Sequence, residues 1–442
     1  MNALVMAGQM ILALSILISL HELGHYLAAR MFGIRVEKFY LFFDAWGFKL
    51  FSFKKGDTEY GIGWLPLGGY VKISGMIDES LDTKQLAQEP QSWEFRSKPA
   101  WQRLIVMLAG VTVNFILGIL IFGFALFYYG DEYLPASEVK YGISTSEMAR
   151  KIGFQDGDQV MKINGRQIER FNEVYDADIF LDKTVVFTVK RNDSLLDITL
   201  PADMADQVAE MPKKGFIGFR FKARVEKVEV NSNAEKAGLL EGDRILAVND
   251  SNTEFFHDFQ AKLAQHKGDI IKLLVLRNGE EITTKAEVTE EGMLGFKPEP
   301  IELNFKKDFY PFGKSMAVGT QRAKESLVDN IRGLGKVVRG EIDPSKSLMG
   351  PIRLATFFGG DWNWERFWSL TGILSLILAF MNLLPIPALD GGHALFLFIE
   401  MIIGRPLGDK FMQVTQVIGM VILLALMIFV FGNDIWNLLP WK

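Results

Sequence analysis

The sequence predicts a polytopic α-helical membrane protein with four spans and a folded, repeated α+β segment between the second and third. Three observations carry that expectation. Apolar residues, 49% of the 442, crowd the two ends of the chain. The middle reads as soluble protein and repeats itself at a fixed offset. Histidines number only five, yet two stand four residues apart inside the first apolar stretch.

Composition removes several classes of function. A net charge of -5 and the lack of a basic tract argue against a nucleic-acid partner. The chain has no cysteine, which excludes disulfides, thiolate metal ligands and a cysteine nucleophile. Any metal would have to sit on His, Asp or Glu.

Four stretches approach the roughly 20 apolar residues a bilayer requires. They run from Leu4 to about Ala29, Leu104 to Tyr129, about Trp368 to Leu384, and Val414 to Phe431. The first lacks a basic n-region and a small-residue cleavage site, so it reads as a retained helix. Arg30, Arg35 and Lys38 follow it, and Arg96, Lys98 and Arg103 precede the second span. Arg405 and Lys410 lie between the third and fourth. The positive-inside rule then places both termini and segment 130–365 outside and 30–103 in the cytoplasm. Trp436 and Trp441 are expected to anchor the C-terminal end at the interface.

Within the first span lies His21-Glu22-Leu23-Gly24-His25. Helical residues four apart project from one face, roughly 40° from each other. His21 and His25 can therefore reach one Zn2+ ion, while Glu22 beside them holds the attacking water. The bland alternative is a pair of interfacial histidines, but an unused His-Glu-His cluster is costly to bury in an apolar span. A catalytic zinc takes three protein ligands and a water, so one ligand is missing. His257 and His266 fall in the outer repeat. His393 is nearer, beside Asp390, where the third span breaks at Pro385, Pro387, Gly391 and Gly392. A carboxylate at membrane depth on broken backbone is a functional candidate by default.

The middle repeats without gaps. Ala149 to Asn164 aligns with Ala234 to Asn249, matching Gly153 to Gly238 and Gly157-Asp158 to Gly242-Asp243. Ala-x-x-x-Gly reads as a short capped helix, and Gly-Asp with the alternating run after it as a turn and strand. The pattern resembles tandem PDZ domains of the bacterial protease type, at 133–221 and 222–303. A Gly-Leu-Gly-type carboxylate loop is not evident in either copy. The flanking membrane parts are 1–132 and 304–442, the latter opening with an amphipathic helix around Ser315 to Val338 that is expected along the outer membrane surface.

His-Glu-x-x-His in the first span with Leu389-Asp390-Gly391 in a later one resembles the site-2 protease family of intramembrane zinc metalloproteases. The four-span plan with a PDZ pair between spans two and three resembles its bacterial regulator of sigma-E protease branch. That resemblance implies a zinc metalloendopeptidase of the bacterial inner membrane with Asp390 as third ligand and Glu22 as general base. His393 would be a hydrogen-bonding neighbour. Leu65 to Lys72 and the aromatic strands before it look like the family's membrane-associated β-hairpin region. Substrate-binding roles are implied for Gly68, Gly69, Asn114, Asn382, Pro385 and Pro387. Val111 departs from the pattern, standing where many members have proline. The implied substrates are single-span membrane proteins already shortened outside the membrane, such as an anti-sigma factor or a remnant signal peptide, with the PDZ pair as a size filter. A polytopic metal-ion transporter and a catalytically silent PDZ scaffold are the alternatives. Glu22 and the strand-rich cytoplasmic segment argue against the first, and the complete motif against the second.

Overall fold

A computed structural model of the chain describes residues 2–65, 68–76, 89–175, 185–200, 216–230, 232–340 and 350–438. Trp441, Pro66 and Leu67 lie outside the described residues. The chain forms two compact units, Met1–Gly130 with Phe309–Lys442, and Asp131–Asp308.

The first unit is helical apart from one sheet. Its helices are α1 (Asn2–Met31), α2 (Ala100–Tyr129), α3 (Phe312–Val338), α4 (Pro351–Phe357), α5 (Trp364–Leu383), α6 (Asp390–Ile403) and α7 (Asp409–Leu438). Among the described residues four of them, α1, α2, α5 and α7, are long and apolar enough to cross a membrane. Helix α2 is the hub, and glycines let its neighbours close on it. A Cβ on Gly24 of α1 would lie 2.7 Å from the Ala109 carbonyl oxygen, and one on Gly118 of α2 would lie 2.6 Å from Leu376 of α5. Small residues permit such close crossings where lipid offers no hydrophobic drive. Helix α3, which spans the expected amphipathic helix, packs on the last turns of α2. Gly319 meets the backbone of Gly123, and the Phe312 ring sits 5.9 Å from that of Phe124.

Between α1 and α2 the expected hairpin region is a four-stranded mixed sheet. Strands β1 (Val36–Leu41), β2 (Lys49–Lys55), β3 (Thr58–Gly63) and β4 (Tyr70–Ile73) lie in the order β2-β3-β1-β4. Only β2 and β3 form a hairpin, turning at Gly56 in the left-handed region. β3 runs parallel to β1, and β4 pairs antiparallel with the other side of β1. One edge of β4 is left open among the described residues. Phe48, Leu50, Phe51 and Phe53 stay exposed at or beside β2, with Trp46 and Trp64 stacked nearby. That composition suits a membrane interface.

The second unit has two hydrophobic cores, one centred on Phe154, Val174 and Phe187, the other on Val248, Phe259 and Leu273. Both copies of the repeat build the same device. Arg191 grips Asp158 through two 2.7 Å bonds and reaches the Gly153 carbonyl; Arg277 does the same to Asp243 and Gly238. Asn164 and Asn249, both at positive φ, each exchange hydrogen bonds with a later strand of their own copy, at Val186 and Lys272. The unit's described strands begin with β5 (Asp131–Tyr133), β6 (Ile143–Thr145), β7 (Gln159–Ile163), β8 (Arg166–Gln167), β9 (Val185–Arg191), β10 (Ser194–Leu200), β11 (Ile217–Phe219) and β12 (Lys222–Val228). They are followed by β13 (Arg244–Val248), β14 (Ser251–Asn252), β15 (Ile270–Arg277), β16 (Glu280–Glu287), β17 (Phe296–Ile301) and β18 (Lys306–Asp308). The unit begins and ends on one antiparallel pair, β5 with β18, which sets Asp131 opposite Asp308. Arg170 holds both carboxylates.

Candidate metal centre and active site

Helix α1 brings His21 and His25 one turn apart on a single face, with ring centroids 4.8 Å apart and both side chains buried. The second contributor comes from the far end of the chain. After α5 the backbone breaks through Pro385 and Pro387, passes Ala388 at φ 76°, and restarts as α6 with Asp390 in its first turn. Gly391 and Gly392 make this restart possible. A Cβ on either would lie within 2.4 Å of the Leu383 or Ile386 carbonyl oxygens, so a larger residue would push Asp390 outward.

The three side chains meet. Asp390 Oδ2 is 3.2 Å from both His21 Nε2 and His25 Nε2, and the two nitrogens are 3.1 Å apart. Zinc bonds of 2.0–2.1 Å at tetrahedral angles require donor atoms roughly 3.3 Å apart. The triangle fits. Asp390 Oδ2 is buried and makes no hydrogen bond, as expected of an atom reserved for a cation. The His25 ring is held from behind, its Nδ1–H donating to the Val106 carbonyl at 2.8 Å. Such a bond leaves Nε2 with a free lone pair for metal. Among the described residues this is the one His/Asp/Glu group close enough to hold an ion in that way.

A cavity of about 650 Å³ opens on the triangle, with Glu22, Asn114 and Asn382 in its wall. Gly68, Gly69 and the open edge of β4 from Tyr70 to Ile73 form the facing wall. The run into β4 lies against the acidic residue, since a Cβ on Gly69 would stand 3.6 Å from Glu22 Cγ. Pro385 and Pro387 shape the turn that presents Asp390 and are not in the cavity wall. His393 does line the cavity, as does Gln416 of α7, but is not one of the three residues of the triangle.

Three further wall residues, Lys38, Asp44 and Tyr70, had no site role assigned from the sequence. Lys38 Nζ and the Tyr70 hydroxyl each donate to Asp44 at 2.8 Å. Burial alone would raise the Asp44 carboxyl, but these two donors outweigh it and hold the group below its ordinary range. The same burial, with Asp44 alongside, pushes the Tyr70 phenol up. Their signal in the sequence is weak, because the partners come from a strand, a loop and another strand.

The model of peptidase family M50 matches residues 9–426. A regulator of sigma E protease from Haemophilus influenzae is 29% identical, over 98% of this chain and 98% of its own. The Salmonella typhimurium protein of that name is 28% identical over 96% and 97%, and a Neisseria meningitidis protein named as a zinc metalloprotease is 28% identical over 97% and 98%. With that match spanning the helices that carry His21, His25 and Asp390, the chain belongs to peptidase family M50, the site-2 protease family of intramembrane zinc metalloproteases.

Proposed function

We propose that the protein hydrolyses a peptide bond within or beside the membrane-spanning segment of single-span membrane proteins. The observation that carries this reading is the His21/His25/Asp390 triangle opening, with Glu22, onto a cavity walled by the free edge of β4. Ion transport needs neither a carboxylate beside the ligands nor a strand edge.

A zinc ion on the triangle would supply Lewis acidity to the scissile carbonyl and to a water. Glu22 takes the proton of the attacking water and delivers it to the leaving amine. A helical peptide bond is shielded by its own hydrogen bonds, so the substrate must be extended; the edge of β4 pairs with the extended segment. Asn382 donates to the backbone or to the developing oxyanion, while Gly68 and Gly69 admit the strand closely. The flanking charges place the triangle towards the cytoplasmic side of a bacterial inner membrane, with the termini and second unit outside. The second unit acts there as two PDZ-type repeats, at 133–221 and 222–303, that exclude substrates with bulky ectodomains. The relatives named as regulators of sigma E protease favour an anti-sigma factor among the substrates.

Purified protein and its Glu22→Gln variant, each incubated with a single-span substrate with and without a zinc chelator, test this. Equal zinc content, with cleavage about 10²–10⁴ slower in the variant, is the expected result for loss of a general base. Wild-type cleavage rates from the variant would sink the assignment.

A further inference from the structure

We propose that Asn114 is a positioning residue of the metal centre, the acceptor that fixes the His21 imidazole, rather than a substrate ligand. This inference rests on His21 being a zinc ligand through Nε2.

An imidazole that gives one nitrogen to a metal carries its proton on the other, and that N–H needs an acceptor. His25 has one in the Val106 carbonyl. His21 Nδ1 instead faces Asn114, whose Nδ2 stands 3.3 Å away. With His21 Nε2 turned to the triangle, Nδ1 bears hydrogen, and two donors would confront each other. Meanwhile Asn114 Oδ1 is buried and without a partner. Turning the amide by 180° about χ2 resolves the clash and gives Oδ1 a partner, since Oδ1 then accepts from Nδ1–H while Nδ2 moves to the position that Oδ1 held. The two amide orientations have nearly the same shape, and the hydrogen-bond network is what decides between them.

The site is built to hold that contact. Asn114 is 1% exposed. Its own carbonyl accepts from Ser375 Oγ of α5 at 2.6 Å, which pins this turn of α2. One turn earlier, Gly110 leaves room for the two rings, since a Cβ there would lie 2.3 Å from His25 Nε2. Gly110 and Asn114 thus form the back of the metal centre, as the histidines form its front.

The test compares Asn114→Asp, which keeps an acceptor, with Asn114→Leu, which removes it at similar size, in the full-length detergent-solubilised protein. Zinc affinity is measured by chelator competition, and the ligand field from the absorption spectrum of the cobalt-substituted protein. Asn114→Leu is expected to weaken zinc 10–100-fold, the usual cost of losing such a partner, and to shift the cobalt bands. Asn114→Asp should stay within about threefold of wild type with unshifted bands. Should the leucine variant fail to fold, Asn114→Ser, whose hydroxyl is too short to reach, takes its place with the same expectation. Wild-type affinity and spectrum in the acceptor-less variant, or equal weakening by aspartate and leucine, would overturn the proposal. His21→Ala serves as the control: if it binds zinc as wild type does, the ligand assignment itself has failed.

Discussion

At Gly110 the backbone of α2 comes so close to α1 that a single methyl group would occupy the space of the His25 ring nitrogen. An overlap of that size cannot be absorbed by a rotamer change, because the His25 ring is fixed from behind by Val106. Gly110→Ala is therefore expected to reduce the zinc content of the purified protein to below about half of one equivalent while the helix signal is kept; metal analysis with circular dichroism checks both. The front of the site was legible in the sequence, since a local i, i+4 spacing of histidines survives any tertiary arrangement. The carboxylate was legible as a candidate from its broken backbone, and the structure sets it beside both histidines. Gly110 was not, because a glycine in an apolar helix carries no chemical mark until its neighbour is known. Asn114 was singled out, but one residue's position on a span does not say whether it faces substrate or ligand.

Elements show the same division. The repeat at 149–164 and 234–249 foretold two matching turns and strands, and the arginine grips on Asp158 and Asp243 extend that match in three dimensions. Burial pushes the Asp243 carboxyl up, but the Arg277 guanidinium and the Leu240 N–H together hold it below its ordinary value. A lowered carboxyl stabilises the fold above its unfolded value of about 4 and loses that contribution as pH falls through the folded value. Arg277→Ala leaves a buried carboxylate unpaired and is expected to cost about 3 kcal/mol. Thermal unfolding of the full chain near neutral pH should show it, and the difference from wild type should shrink below pH about 4.

Strand β17 illustrates what the sequence concealed. Leu294 and Gly295 lead into β17, whereas Ile217-Gly218-Phe219 in the first copy is β11 itself. The Val225 N–H and C=O bond to Asp243 and Gly242, so they point away from β17, and its partner Pro298 likewise faces the open side. Strand alternation puts Pro300 there too. Two of the three outward positions on β17 therefore have no N–H to offer an added strand. A free peptide with an apolar C-terminus is expected to bind the wild-type protein no more tightly than its amidated form. Carboxylate-dependent binding by calorimetry would contradict that expectation. A filter that works by size needs no such binding. The mixed order of β1 to β4 was equally hidden, since aromatic alternation marks strands but not which of them run parallel.

At the scale of the whole molecule, the pairing of Asp131 with Asp308 gives the second unit adjacent ends. Segments with adjacent ends can be excised with little disturbance to what remains. Joining Gly130 to Phe309 through a short glycine-serine linker should leave zinc content unchanged. If the second unit is the proposed size filter, substrates that still carry a folded ectodomain should then be cut as readily as shortened ones. Unchanged discrimination in such a deletion would remove the filter role and leave the metal chemistry untouched.

The distance along the chain between the two halves of the metal centre has a consequence in time. His25 and Asp390 are 365 residues apart, and ribosomes add about 5–20 residues per second. For roughly 20–70 s of its own synthesis, the growing polypeptide carries its histidine pair and its acid in the bilayer without the third ligand. On the proposed ligand set, the nascent chain lacks a complete metal site throughout that interval. The order of its residues delays completion of that proposed site until Asp390 has been made.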